Sequence, residues 1–277
     1  MIKLEKTEVV GWEAAIRGMR NPMNSWEKSD TWYGCAKKSP ERPHLSGKNC
    51  PDDCDACEWC IGPNDHELMM KLAKGGSVHA KYRRMIHVYV DITAPLYWFK
   101  EFDTYKVGTV ANSCSTMHKI HAKEFTLDDF SHEHLIDSVS EEPEKPFEPE
   151  VPHGVTVWSD DDTGCLAVTC RGEFHKDHLF EATLPISQKD VLDMFIIPAL
   201  NSNRNAYLKT KDKKYWWQMI QLLPSSYNQK RTINLNYEVL VGMYHDRKAH
   251  KLDEWREFCK WIEGLPYSEL ITGGKDE

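Results

Sequence analysis

Residues 75–106 read GGSVHAKYRRMIHVYVDITAPLYWFKEFDTYK. Every second residue from Ile86 to Ile92 is aliphatic, and this period of two is typical of a β-strand with one buried face. Pro95 follows at a position where proline favours the first turn of a helix, so residues 96–106 are predicted to be helical. The segment therefore predicts a strand that leads directly into an aromatic-rich helix.

Other segments show the same mixture of periods. Residues 155–158 and 165–170 flank the turn sequence SDDDTG and predict a β-hairpin. Helices are predicted over residues 215–223, 232–244 and 252–262, and in the last of these apolar residues recur at spacings of three and four. Strands and helices do not alternate regularly, so the pattern favours the α+β class over a regular βαβ sheet.

Capping residues mark two further helices. Asp65 is able to cap a helix that Gly75 and Gly76 would end. Ser187 and Asp190 form a capping-box pair ahead of an apolar stretch. These caps add two predicted helices to the α+β pattern.

The 277 residues carry a formal net charge of −8, and one segment accounts for it. Residues 127–152 hold nine acidic side chains against one lysine, and their prolines recur every third residue, which predicts an extended linker. The charge argues against a nucleic-acid polymer or an anionic membrane as partner, whereas the formally neutral remainder is compatible with a nucleotide. The chain shows no apolar run of 18 residues and no signal peptide, which predicts a cytoplasmic protein.

A cysteine-rich segment, residues 29–61, is the candidate for metal binding. Four of its five cysteines are separated by two or three residues, which lets a short chain present several thiolates to one tetrahedral zinc ion. The segment has little apolar content, so a metal would supply its order. An iron–sulfur cluster and free or disulfide-bonded thiols are the alternatives, and Cys35 or His44 is able to replace one ligand. The predicted ligands are Cys50, Cys54, Cys57 and Cys60.

Three further segments carry notable residues that follow one another in a particular order and spacing. Residues 75–92 place a glycine-rich turn and His79 before a strand, and residues 92–118 continue with a proline-containing helix start and a polar loop. In residues 222–255 the notable positions are Leu223, Pro224, Thr232, Asn234, Arg247, His250 and Glu254. In order and spacing this set resembles the flavin-dependent thymidylate synthase family, with the Cys-rich segment and residues 119–190 as additions.

The chain departs from this family at its signature, an Arg-His-Arg triplet that a serine follows. A gapless reading places residues 104–106 at the triplet, where only Lys106 keeps a positive charge. Cys114 takes the serine position, or Ser113 or Ser115 after a shift of one residue. Lysine does not replace arginine fully at a phosphate, because only the guanidinium forms a bidentate fork.

The resemblance implies an α+β homotetramer with active sites between subunits. It also implies that FAD, a dUMP-like nucleotide and methylenetetrahydrofolate bind, and that a one-carbon unit passes to the pyrimidine with hydride from reduced flavin. By the same resemblance Arg247 is the catalytic candidate, and the cofactor-binding candidates are His79, Asn234, Asn236 and His250. The substrate-binding candidates are Glu101, Thr104, Tyr105, Lys106, Ser113, Cys114, Ser115 and Gln221.

The chain is accordingly divided into a thymidylate synthase-complementing-protein-like α+β core and its additions. The core comprises residues 1–28 and 62–126 as its first part and residues 187–277 as its helical second part. The additions are the Cys-rich insert at 29–61, the acidic linker at 127–152 and a β-hairpin insert at 153–186.

Two other functions are compatible with the sequence. One is a catalytically silent homologue that binds a nucleotide or a protein partner, and the other is a metal-stabilised interaction module.

Overall fold

The computed structural model describes residues 2–35, 57–137, 154–159, 166–173 and 179–273. The chain divides into two compact units, the first formed by Met1–Ser113 with Gln229–Glu277 and the second by Cys114–Asn228. Both contain helices and strands, so the expected mixed class is observed. Among the helices in these ranges, none has the length and apolar content needed to cross a membrane.

The elements are numbered in chain order. The strands are β1 (Lys3–Val10), β2 (Trp32–Cys35), β3 (Cys57–Cys60), β4 (His87–Pro95), β5 (Val110–Ser113), β6 (Gly154–Ser159), β7 (Leu166–Glu173), β8 (Leu179–Ile186) and β9 (Asn228–Asn236). The α-helices are α1 (Trp12–Arg20), α2 (Pro63–Lys74), α3 (Leu96–Phe102), α4 (Thr116–Lys119), α5 (Gln188–Asp190), α6 (Ile197–Thr210), α7 (Lys213–Leu222), α8 (Tyr237–Arg247), α9 (Asp253–Glu263) and α10 (Glu269–Thr272). A π-helical stretch, Val191–Ile196, joins α5 to α6.

A four-stranded sheet organises the first unit, with the strand order β1-β4-β9-β5. β1 pairs antiparallel with β4, and β5 pairs antiparallel with β9. The strand predicted from the period of two is β4, and its alternate residues Val88, Val90 and Ile92 are buried. The prediction is confirmed because the aliphatic face of β4 packs into the core while His87 and Asp91 on the other face stay partly accessible.

An aromatic cluster from α3 and α9 fills the core of this unit. The ring centroid of Trp98 lies 5.0 Å from that of Phe102 and 4.8 Å from that of Trp255. The ring centroids of Trp255 and Phe258 are 5.7 Å apart. All four side chains are at most 1% exposed, and each buried ring of this size stabilises the fold by about 1.5–3 kcal/mol. The helix predicted over residues 252–262 is thereby confirmed as α9.

The helix predicted over residues 232–244 is wrong in its first part. Residues up to Asn236 belong to strand β9, and helix α8 begins only at Tyr237. Ile233 and Leu235 alternate into the core with no exposed surface, so their burial favours the extended conformation. The side chain of Asn236 then caps α8, because its Oδ1 accepts a hydrogen bond from the backbone N–H of Val239 at 3.1 Å.

Two other predicted helix bounds also differ from the structure. The helix after Pro95 ends at Phe102 rather than at residue 106, and the Thr104 hydroxyl donates to the backbone carbonyl of Glu101 just beyond the end. The helix predicted to be capped by Asp65 begins earlier, at Pro63, and the buried carboxylate of Asp65 pairs with Arg20. Its predicted end at Gly75 is confirmed.

Gly11 is expected to be intolerant of a side chain. Its φ is +96°, and a Cβ atom there would lie 2.1 Å from the carbonyl oxygen of Met85. We expect Gly11→Ala to lower the free energy of unfolding by at least about 2 kcal/mol, from left-handed strain and overpacking together.

Gly242→Ala is the matched control for this prediction. Gly242 lies within α8, and, apart from its chain neighbours and the backbone of the helix itself, no heavy atom of the described residues comes within 4 Å of the position that a Cβ would take there. Alanine has the higher helix propensity, so this substitution should raise stability. Urea unfolding of both variants measures the difference, and equal effects would contradict the assignment.

The second unit holds a three-stranded antiparallel sheet with the order β6-β7-β8. The predicted hairpin is confirmed as β6 and β7, whereas β8 is an additional strand that the sequence did not indicate. The capping box of Ser187 and Asp190 is confirmed at the start of α5. A second apolar core packs helices of this unit together, and its most buried members include Phe130, Leu200 and Met219.

Residues 127–137, which composition assigns to the acidic linker, contain ordered structure in this unit. Leu127–Asp129 is a 3-10 turn, and Phe130 beyond it is 1% exposed. The Asp129 carboxylate accepts hydrogen bonds from the backbone N–H and the hydroxyl of Thr126, so this acidic residue closes a capping box. The rest of the predicted linker, residues 138–152, lies outside the described residues.

Candidate functional site

The carboxylate of Glu101 is the centre of a polar cluster in the first unit. Its Oε2 lies 2.8 Å from Nη1 of Arg247 and 3.0 Å from Nε1 of Trp255, both of which donate hydrogen bonds to it. Nε2 of His250 lies 3.4 Å from the same oxygen. Helix α3 supplies the carboxylate, α8 ends at the arginine, and the tryptophan is on α9. Three secondary-structure elements therefore converge on one oxygen atom.

Arg247 is held by hydrogen bonds and by ring contacts. Its Nε donates to the Tyr105 hydroxyl at 2.9 Å, and its guanidinium carbon lies 4.8 Å from the centroid of the Trp255 ring. Burial raises the pKa of Tyr105 and the Asp246 carboxylate adds to the effect, although Arg247 opposes it. Tyr105 therefore stays protonated and donates to Asp246 at 3.3 Å.

The tautomer of His250 follows from its contacts. Its Nδ1 accepts a hydrogen bond from the backbone N–H of Leu252 at 3.1 Å. In the neutral imidazole the ring proton is consequently on Nε2, which is the nitrogen nearest to Glu101. The side chain is 17% exposed, so solvent still reaches the ring.

Glu101 and Arg247 retain free hydrogen-bonding capacity. Within the described ranges, neither Oε1 of Glu101 nor Nη2 of Arg247 makes a hydrogen bond or an ion pair. The two side chains are 34% and 20% exposed, respectively. The cluster is thus able to offer a ligand one carboxylate acceptor and one guanidinium donor, which is the pairing that an imide edge requires.

The two predicted asparagines have different roles in the structure. Asn236 is occupied as the cap of α8, and a Cβ on Gly108 would come within 2.9 Å of its Nδ2. Asn234 makes no side-chain hydrogen bond in the described part of the chain, and its Nδ2 is buried without a partner. A buried unpaired donor costs about 1–3 kcal/mol, so the Asn234 amide is the better candidate for contact with a ligand.

The other predicted residues of the first unit lie outside the Glu101 cluster. His79 is exposed in the turn after α2, where a Cβ on Gly75 would lie 3.1 Å from its ring. Thr104 and Lys106 are exposed between α3 and β5, and Ser113 is exposed at the end of β5. The cluster thus contains four of the predicted residues, which are Glu101, Tyr105, Arg247 and His250.

Three predicted substrate-binding residues belong to the second unit. Cys114 is exposed, and Ser115 caps α4 by accepting a hydrogen bond from the backbone N–H of His118 at 3.1 Å. Gln221 is exposed on α7. The Ser115 side chain therefore has a local structural role.

Sequence reasoning missed Trp255 and Asp246 as members of the cluster. Trp255 belongs to the apolar stripe of α9, so its spacing predicts core packing, and only the structure shows that its Nε1 points to Glu101. It also missed a second polar group on the sheet, in which the Thr232 hydroxyl donates to Asp91 at 2.7 Å and Lys230 lies 3.2 Å from the same carboxylate. Hydrogen bonding from Thr232, and then from Lys230, lowers the pKa of Asp91.

The predicted metal ligands are only partly covered by the structure. Cys50 and Cys54 lie outside the described residues, whereas Cys57 and Cys60 are in β3. β3 pairs with β2 in a register that places Cys57 opposite Cys35 and Cys60 opposite Trp32. Across the described ranges, no three His, Cys, Asp or Glu side chains form a group suited to a metal ion.

The comparisons with known proteins give a likeness of fold. No family model and no curated protein matches the chain. A crystal structure of the flavin-dependent thymidylate synthase ThyX from Helicobacter pylori with FAD and dUMP matches with a TM-score of 0.53 and 11% identity, covering 100% of both chains. A second crystal structure of that enzyme with FAD and dUMP gives 0.53 and 13%, covering 98% of each chain. The chain therefore has a fold that resembles a flavin-dependent thymidylate synthase.

Proposed function

We propose that the protein is a divergent flavin-dependent enzyme that transfers a one-carbon unit to the pyrimidine of dUMP. The observation that carries this proposal is the cluster in which Arg247 and His250 approach Glu101 while the Tyr105 hydroxyl accepts a hydrogen bond from Arg247. All four residues are site candidates by the family resemblance, and the likeness of fold to ThyX extends over the whole chain. A uracil edge presents one imide N–H between two carbonyl oxygens, which suits the free Oε1 of Glu101 and Nη2 of Arg247.

The described residues fit a flavin at one position in particular. FAD binds to the solved ThyX structures, and the isoalloxazine ring system carries carbonyl oxygens that accept hydrogen bonds. The unpaired Nδ2 of Asn234 is a donor of the matching type, and such a ligand would remove its cost of burial. Asn234 and His250 are accordingly the residues we propose to hold the cofactor.

The proposed reaction balances without another reactant. The C5–H of uracil is lost as a proton, and C5 gains the methylene carbon of methylenetetrahydrofolate. Reduced flavin supplies the hydride that completes the methyl group, so the products are dTMP, tetrahydrofolate and oxidised flavin. In this chain Arg247 would polarise the pyrimidine carbonyl, and Glu101 would fix the guanidinium through its 2.8 Å bond.

Assay of the product tests this proposal. Full-length protein is mixed with dUMP, methylenetetrahydrofolate and reduced FAD, and dTMP is measured by mass spectrometry. We expect dTMP only when all three are present. Light scattering on the same sample tests the homotetramer that we propose as the active assembly. Bound FAD and dUMP without any dTMP would contradict the catalytic proposal.

A catalytically silent homologue is the second candidate, and one observation favours it. Glu101 already pairs with Arg247, and the triplet region retains Lys106 as its only cation, so little positive charge is left there for a phosphate. On this alternative dUMP binds without turnover. Calorimetric titration with dUMP and with deoxyuridine, combined with the product assay, distinguishes the two candidates.

We also propose that the Cys-rich segment holds one zinc ion, with an iron–sulfur cluster as the alternative. Register partners lie on the same face of an antiparallel pair, whereas strand positions three apart lie on opposite faces. Because Cys35 is the register partner of Cys57, we expect Cys35, Cys50, Cys54 and Cys57 to be the ligands. Cys35 therefore takes the place of Cys60 in the ligand set that the cysteine spacing alone predicts.

Cysteine substitutions combined with elemental analysis test the zinc proposal. We expect one zinc per chain in the wild type, a loss of zinc in Cys35→Ser, and retention of zinc in Cys60→Ser. Cys170→Ser, in β7 of the second unit, is the control for loss of a thiol elsewhere. Zinc loss in Cys60→Ser but not in Cys35→Ser would overturn the ligand set, and absence of both zinc and iron would overturn metal binding.

A further inference from the structure

A cavity in the first unit lies apart from the Glu101 cluster. Its volume is about 220 Å³, and its walls include Ile16, Arg17 and Arg20 of α1 together with Trp26 and Trp59. None of the Glu101 cluster residues lines it. Two indole rings and an isoleucine give the cavity a largely apolar wall that suits a flat ring.

Arg20 brings a free donor to this cavity. The residue is 4% exposed, and its Nε donates to Asp65 while Nη1 donates to the carbonyl and hydroxyl oxygens of Ser25. Nη2 has no hydrogen-bond partner in the described part of the chain. An oxygen acceptor in the cavity would give this nitrogen a charge-assisted hydrogen bond.

The buried carboxylate of Asp65 fixes the position of the Arg20 guanidinium. The Asp65 carboxylate has no exposed side-chain surface, and its Oδ1 receives the arginine at 2.6 Å. Its Oδ2 accepts from the Ser29 hydroxyl and from the backbone N–H groups of Asp30 and Thr31. Because these contacts occupy both oxygens of the carboxylate and fix Nε of Arg20, the guanidinium keeps one position at the cavity wall.

A second guanidinium at the cavity has only a weak partner. Arg17 lies 3.5 Å from Glu13 one helical turn away, and their side chains are 64% and 69% exposed. Such an exposed pair contributes little, so Arg17 is free to turn toward an anion in the cavity. Glu13 balances the charge of Arg17 as Asp65 balances that of Arg20, so the two guanidinium groups act at this wall as charged N–H donors to an anionic oxygen.

We propose that this cavity binds a small planar aromatic carboxylate, independently of the proposed function. The ring would lie against Trp26 and Trp59, and the carboxylate would accept from Nη2 of Arg20 and from Arg17. A monocyclic ligand matches the size, because cavities of about 150 Å³ already accommodate benzene. The charge-assisted hydrogen bonds and the ring contacts together define this class of ligand.

Calorimetric titration of the full-length protein with benzoate tests the proposal. Benzamide, which lacks the charge, and cyclohexanecarboxylate, which lacks the aromatic ring, serve as matched probes. We expect benzoate to bind and both probes to bind at least about tenfold more weakly, which corresponds to about 1.4 kcal/mol. Benzamide or cyclohexanecarboxylate binding as tightly as benzoate would overturn the assigned ligand class.

Surface variants locate the binding site without disturbing the buried ion pair. Arg17→Ala and Trp26→Leu remove side chains that are largely or half exposed, and each is expected to weaken benzoate binding about tenfold. Arg256→Ala, which removes an exposed arginine of α9 outside this cavity, is the control and should leave the affinity unchanged. No benzoate binding at millimolar concentration, or binding that neither variant weakens, would overturn the proposal.

Discussion

Asp65→Asn is expected to lower the free energy of unfolding by about 3–5 kcal/mol, the largest stability effect we predict. The substitution leaves the guanidinium of Arg20 buried without its counter-ion, since that side chain is only 5% exposed. It also weakens the hydrogen bonds that Ser29 and the backbone at Asp30 and Thr31 make to Asp65. Urea unfolding followed by tryptophan fluorescence measures the effect.

Asp253→Asn is the matched control for this prediction. Asp253 also pairs with an arginine, Arg256, but the two side chains are 45% and 47% exposed. Solvent screens an exposed pair, so a change below about 1 kcal/mol is expected. Equal losses in Asp65→Asn and Asp253→Asn would show that the buried pair does not hold the first unit together.

The Asp65 carboxylate makes the free energy of unfolding depend on pH. Burial alone would raise the pKa of Asp65, but the hydrogen bonds from Ser29 and Thr31 and the Arg20 guanidinium together lower it. A carboxyl whose pKa is depressed on folding contributes its stability above the unfolded pKa, about 3.9, and loses it as pH falls through the folded value. The difference in melting temperature between wild type and Asp65→Asn should therefore become smaller as the pH is lowered from neutral to about 3.

Arg247→Ala is expected to reduce the rate of dTMP formation by about 10²-fold or more. The change removes the guanidinium that Glu101 and Tyr105 hold at 2.8 and 2.9 Å, and misplacement of such a group alone costs about this factor. Arg247→Lys should recover only part of the rate, because a point charge cannot make both bonds in the planar geometry. Steady-state kinetics with dUMP as the varied substrate measure both variants.

Arg256→Ala is the control for loss of a cation near this cluster. Its guanidinium donates to the backbone carbonyl of His250 but has no contact with Glu101. We expect its rate of dTMP formation to stay within about twofold of wild type. A rate in Arg247→Ala as high as in Arg256→Ala would remove Arg247 from the proposed catalytic role.

Local patterns were sufficient for much of the fold. The period of two in β4, the capping box at Ser187 and the apolar stripe of α9 each specify an element through its own residues. The helix predicted before Tyr237 is wrong because it puts Asn234 and Asn236 in a helix interior, although asparagine favours caps and turns. The alternation of Ile233 and Leu235 is the signal for a strand there.

The candidate site was predictable only in part, and the reason is physical. The spacing of Arg247 and His250 is visible in the sequence, but their meeting with Glu101 depends on how α3, α8 and α9 pack. The role of Trp255 was hidden because the same side chain fills the core and donates a hydrogen bond. Contacts between distant elements, such as Arg20 with Asp65, leave no spacing that a sequence displays.

The visible absorbance spectrum of the purified protein during titration with FAD tests the central claim most directly. We expect the flavin band to shift and sharpen until one FAD is bound per chain. We also expect Asn234→Ala to weaken this binding, because Asn234 carries the unpaired buried donor. A spectrum identical to that of free FAD at every concentration, with no flavin retained after gel filtration, would contradict the proposal that this chain is a flavin-dependent enzyme.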